Sequence, residues 1–167
     1  MPDDPDLSRE RIRRLLRALY QEEVRTGAYR AYRRRSRNAG LRSMLDTFLR
    51  VEARAVSLLA GHLAALGVGR PGQRGPIRRG LALLGAVLAG ITARGGDPAI
   101  LRRLRTSERR GADRFGREVD WEGWTEGERA TFDGHRCDQL YQANWAEELA
   151  GRLARDAAGG KATAHRA

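Results

Sequence analysis

Lysine is nearly missing from this chain: Lys161 is the only one among 32 basic residues. Cysteine is as scarce. Cys137 stands alone, so no intrachain disulfide framework holds the chain together. Aromatics make up 6% of the residues, and β-branched residues are few, which argues against a sheet protein. Long hydrophobic runs are absent too. The longest uncharged, mainly apolar stretch, Leu81 to Ala93, has 13 residues, short of the roughly 20 that span a bilayer. The acidic, proline-bearing segment Met1 to Ser8 has no apolar core and does not read as a secretory signal. These absences set the expectation of a cytoplasmic protein.

What is present suits one helical domain. The chain has 167 residues, 41% of them apolar, enough for a real core. Ala, Leu, Arg and Glu dominate, and these favour helix. The formal charge is +11. The arginines are dispersed along every segment and read first as a solvated positive surface. The same charge suits an anionic membrane, nucleic acid or an acidic protein partner. The densest patch is Arg30, Arg33, Arg34, Arg35 and Arg37.

Apolar spacing predicts four long helices. The first runs from Ser8, as N-cap, to about Arg37, with Ile12, Leu15, Leu16, Leu19, Thr26 and Tyr29 along one side. Asn38-Ala39-Gly40 breaks it. The second runs from Leu41 to Leu66, and glycines and prolines from Gly67 to Pro76 mark a loop. A less regular segment, Ile77 to Arg94, carries glycines at 80, 85 and 90. Asp97-Pro98 reads as N-cap and first position of the third long helix, which ends near Val119. Thr125 and Glu128 form a capping box for the fourth, which ends near Ala157. The expectation is an all-α chain: an antiparallel four-helix bundle over residues 8–157, with an extra helical segment in the long connection between helices 2 and 3. Residues 1–7 and 158–167 are expected to be disordered.

The acids on the apolar stripes carry the functional signal. Glu22, Glu52, Glu108 and Asp138 each fall where a long helix turns its buried side. Glu22 and Glu52 are 30 residues apart, as are Glu108 and Asp138. Tyr29 follows Glu22 by seven, and Phe115 follows Glu108 by seven. The two halves superpose with an offset of 86, an internal repeat of helical hairpins. Four converging carboxylates repel one another, so metal ions, protons or arginines must offset them. Oxygen-rich clusters suit iron or manganese. Arg25 and Arg105 each lie three residues from an inward Glu. Arg105, bordering the stripe, reads as the better neutralising cation.

With these motifs residues 15–150 resemble the ferritin-like superfamily, which includes rubrerythrins, bacterioferritins and demethoxyubiquinone hydroxylases. Its pattern is a Glu seven residues before a Tyr on helices 1 and 3, and Glu-x-x-His on helices 2 and 4. Glu22 with Tyr29, and Glu108 with Phe115, match the first motif. Glu52 and Asp138 match the acids of the second. The resemblance implies a di-metal centre with ferroxidase, peroxidase or hydroxylase-like activity, and pairing into homodimers. The departures are Ala55 and Tyr141, which stand in the two histidine places. His135, three before Asp138, is a substitute ligand reached from the other direction. Tyr141 is read as filling the histidine's space and bonding a carboxylate.

Three readings follow. The leading one is a non-catalytic bundle with an eroded metal site and no cofactor, acting as scaffold or binding an unknown protein partner. The second is a di-metal carboxylate protein using iron or manganese at Glu22, Glu52, Glu108, Asp138 and His135, with Tyr29, Phe115, Tyr141 and Arg105 around it. The third is a basic module for an anionic membrane or nucleic acid, although no aromatic-studded basic groove is apparent.

Overall fold

The computed structural model describes residues 5–69 and 75–164. Five α-helices carry most of them: α1 (Pro5–Arg35), α2 (Ala39–Ala65), α3 (Gly75–Thr92), α4 (Gly96–Val119) and α5 (Glu126–Ala164). A 3₁₀ turn, Ala93–Gly95, joins α3 to α4. Among the described residues there is no strand, so the chain is all-α as expected. No helix among them is long and apolar enough to cross a membrane.

The helix ends show how local chemistry sets the boundaries. α1 starts at Pro5, three residues before the expected Ser8, with Asp6 in its first turn where the helix dipole favours an acid. Asn38 caps α2, its side chain accepting from the Leu41 backbone N–H at 2.9 Å. α2 closes in a Schellman turn. The Val68 N–H donates to Leu63 O and the Gly67 N–H to Ala64 O, with Gly67 at φ 75°. The expected Thr125–Glu128 capping box is present. The Thr125 N–H donates to Glu128 Oε2 at 2.9 Å, and the Glu128 N–H to Thr125 Oγ1 at 3.3 Å.

Two expectations need correcting. Asp97 does not cap its own helix. Its carboxylate accepts from the backbone N–H groups of Arg37 and Asn38, at 3.3 and 2.9 Å, and so ties the start of α4 to the α1–α2 turn. α5 also runs beyond Ala157 to Ala164, where a disordered tail was expected. Residues 1–4 and 165–167, and most of the Gly/Pro-rich loop (70–74), lie outside the described residues.

α1 and α2 form an antiparallel hairpin, with Arg33 paired to Asp46 near its turn. α4 and α5 form a second, with Arg105 and Arg109 both reaching Glu147. α1 also runs antiparallel to α4: Arg14 pairs with Glu118 near one end, and Asp97 meets Asn38 near the other. α3, despite its glycines, is a continuous helix laid on α1. One glycine on each helix, Gly85 on α3 and Gly27 on α1, makes that contact possible. A Cβ on Gly85 would strike the Val24 carbonyl, and one on Gly27 would strike the Ala82 carbonyl.

The interior has two apolar clusters. One gathers Tyr29, Tyr32, Leu41, Leu45, Phe48 and Leu104, among others. The other gathers Leu15, Leu19, Leu59, Leu63, Phe115 and Phe132. Between them, at the mid-height of the long helices, sits a polar layer.

Candidate functional site

The polar layer is built from one turn of α1, α2 and α4 and two turns of α5. α1 supplies Glu22 and Arg25, α2 supplies Glu52, α4 supplies Glu108, and α5 supplies His135, Gln139 and Gln142. Glu22 and Glu108 are 0% exposed and Glu52 2%. Three of the four predicted carboxylates are therefore inside and close together.

Their shared counter-ion is Arg25. Its Nη1 donates to both Glu22 oxygens, at 2.9 and 2.7 Å. The same nitrogen lies 3.7 Å from Glu52 Oε2, and Nε lies 3.5 Å from Glu108 Oε2. Ser107 Oγ donates to Glu108 Oε1 at 3.1 Å. The Tyr29 hydroxyl donates to Gln142 Oε1 at 3.0 Å, and Gln142 Nε2 reaches Glu52 Oε1 at 3.5 Å.

One cation cannot neutralise three carboxylates in a dry interior, so protonation makes up the difference. Burial and the neighbouring Glu22 push the Glu52 carboxyl well above its ordinary value. Burial raises Glu108 too, against the pull of Arg25. For Glu22 burial works in the same direction, but Arg25 and a hydrogen bond with Glu52 outweigh it and hold the group below its ordinary value. The two carboxyls are thus pushed apart, Glu22 toward the anion and Glu52 toward the protonated form. Burial acts against the charge on Arg25, yet the three carboxylates around it raise its pKa well above the ordinary value. Tyr29, desolvated and facing Glu108 and Glu52, is also raised well above its own.

α5 departs from the sequence reading. Asp138 is exposed, as are Cys137 and Tyr141, the last by 65%. The inward positions are instead His135, Gln139, Gln142 and Ala146. Asp138 lies six residues after the buried Phe132, a rotation of about 600°, which leaves it 120° off the buried side; Gln139, seven after, returns to it. Arg105 likewise points outward, to Glu147 at 3.3 Å, and Arg25 takes the neutralising role. His135 is buried and stacks on Phe115, ring centroids 5.3 Å apart, with its Nε2 unbonded. Burial lowers its pKa and so favours the neutral ring. His62, far from the layer, hydrogen-bonds Thr131. Tyr29 and Phe115 are buried at the layer as expected.

Gln139 and Gln142 went unrecognised in the sequence. One signal was available: Gly111, in the middle of α4, where Gly costs about 0.5–1 kcal/mol relative to Ala. A Cβ there would strike the Gln139 side-chain oxygen and lie 2.9 Å from Arg25 Nη2. The glycine makes room for the layer.

Among the described residues no group of three or more His, Cys, Asp or Glu is arranged to hold a metal ion. The donor set does not fit a di-metal centre: Arg25 stands among the acids, and α5 brings in His135 and two amides but no carboxylate. No family model matches the sequence, and neither curated proteins nor solved structures give a match.

Proposed function

We propose that this chain is a non-catalytic, ferritin-like four-helix bundle that works as a scaffold or binding module, with Arg25 in the place of metal. The observation that carries this reading is Arg25 within hydrogen-bond or ion-pair distance of Glu22, Glu52 and Glu108, the three glutamates of the layer. The burial pattern supports the repeat with one adjustment. Glu22 and Tyr29 correspond to Glu108 and Phe115 at an offset of 86, whereas Glu52 and Ala55 correspond to Gln139 and Gln142 at 87. The second hairpin carries one extra residue. In this register the fourth helix has Gln-x-x-Gln where the family pattern has Glu-x-x-His, and no metal-dependent oxidation follows from such a site. Metal analysis after expression and purification with Fe(II) or Mn(II) tests the reading. Metal should be absent from the protein; stoichiometric metal that is lost in Glu22→Ala would overturn it.

A second reading has its own observation. The outward face of α3 exposes Leu83, Leu84, Val87 and Ile91, the last by 60%. An apolar stripe on a protein of net charge +11 suits the surface of an anionic bilayer. Co-sedimentation with vesicles containing phosphatidylserine, but not with neutral vesicles, is the expected result. Binding left intact by Leu84→Ser/Val87→Ser would count against it.

A further inference from the structure

A cleft of about 880 Å³ runs between α1, α3 and α4. That is within the usual size range of small-molecule sites. Its lining has two chemistries. Beneath α3 the walls are Val24, Ala28, Leu81, Gly85, Leu88 and Ala89. On the α1 and α4 sides the lining includes Arg17, Arg110 and Arg114, together with Arg25 and Glu108 of the buried layer. None of Arg17, Arg110 and Arg114 forms an ion pair with a carboxylate among the described residues, in contrast to Arg9, Arg13 and Arg14 nearby, which pair with Asp6, Glu10 and Glu118. Arg114 is also partly desolvated, and burial together with Arg25 lowers its pKa. A cation held in that condition favours an arriving anion. From Arg13 to Ala28 the cleft follows α1 for about 22 Å, at 1.5 Å per residue.

We infer that this cleft binds a single-chain amphipathic anion, its head against Arg17, Arg110 and Arg114 and its apolar tail lying along α1 beneath α3. A simple inorganic anion would leave the apolar walls unused, and a neutral lipid would leave the three arginines without a partner. The inference goes beyond the non-catalytic reading and does not depend on α3 meeting a membrane.

Titration of the full chain by calorimetry, below the critical micelle concentration, tests it with oleate, oleoyl lysophosphatidate, oleyl alcohol, octanoate and inorganic phosphate. Oleate or the lysophosphatidate should bind saturably at one site per chain, and the tighter of the two identifies a carboxylate or a phosphate head. Oleyl alcohol, octanoate and phosphate should each bind at least about tenfold more weakly, a difference of about 1.4 kcal/mol. Arg110→Glu/Arg114→Glu, on the surface of α4, should weaken the oleoyl anion by a similar factor while leaving the helical circular dichroism unchanged. Leu84→Ser/Val87→Ser, on the outer face of α3, should leave binding as it was. The inference is overturned if neither oleoyl anion binds, if oleyl alcohol or phosphate binds equally well, if the arginine reversal has no effect, or if only the outer-face variant abolishes binding.

Discussion

Arg25 grips Glu22 from one turn along the same helix, with a single nitrogen donating to both carboxylate oxygens at 2.9 and 2.7 Å. The pair is local in sequence, but its surroundings are not: Glu52 and Glu108 close on the same guanidinium from α2 and α4. The four residues act as one electrostatic unit.

Removing the cation should therefore cost far more than one hydrogen bond. Arg25→Ala leaves three carboxylates facing each other in the dry interior, and breaking such a buried network costs about 3–5 kcal/mol. Urea denaturation at neutral pH should show that loss. At acid pH, where the carboxylates accept protons, the difference from the parent should shrink.

The pH dependence of stability should have two opposed contributions. Glu52 is raised on folding, so its favourable contribution is complete below its unfolded pKa and is lost as pH rises through the folded one. Glu22 is lowered on folding, so its contribution is present above its unfolded pKa and disappears as pH falls through the folded one. Glu52→Gln, an uncharged mimic of the protonated acid, should flatten the alkaline side of the profile and keep the protein at least as stable as the parent there. Glu22→Gln should destabilise it at neutral pH and flatten the acid side. Thermal melts from acid to mildly alkaline pH will show whether the two variants diverge in this way.

Gly111→Ala offers a contrast of signs. On an exposed helix face the change would stabilise by about 0.5–1 kcal/mol. Here the new methyl meets the Gln139 amide and Arg25, and overpacking of this kind costs about 1–3 kcal/mol. A lowered melting temperature is the expected outcome, and a raised one would show that the layer has slack.

Thr125→Ala removes one half of the α5 capping box and should cost about 1 kcal/mol. Glu128→Ala should cost more. Its carboxylate also holds Arg11, at 2.9 Å through both oxygens, so the pair links α5 to α1. Chemical denaturation of the two variants side by side measures the gap.

Much of this was legible in the sequence, for identifiable reasons. Thr125 and Glu128 act on neighbours within three residues, so their motif survives folding unchanged, whereas Asn38, which caps α2, reads in the sequence only as part of a break. Glu22, Glu52 and Glu108 sit among leucines and phenylalanines whose spacing marks the buried side. On α5 the spacing misleads: Asp138 lies six residues after Phe132 and seven before Trp145, which is only half-buried. One residue of slip turned Asp138 inward and hid Gln139. Arg105 reads in the sequence as the better cation because it borders its apolar stripe. Only the approach of α2 and α4 decides which arginine is enclosed, and that is tertiary information. Gly85 of α3 reads as a helix breaker for the same reason: its partner, the Val24 carbonyl of α1, is 61 residues away in sequence.

The guanidinium at the centre of the layer has a further consequence, for supply. A metal bound among carboxylates comes and goes by mass action, and the protein's stability follows its concentration. Arg25 arrives with the chain, one per copy. It cannot be chelated, diluted or exchanged for the wrong ion, and no cell has to deliver it.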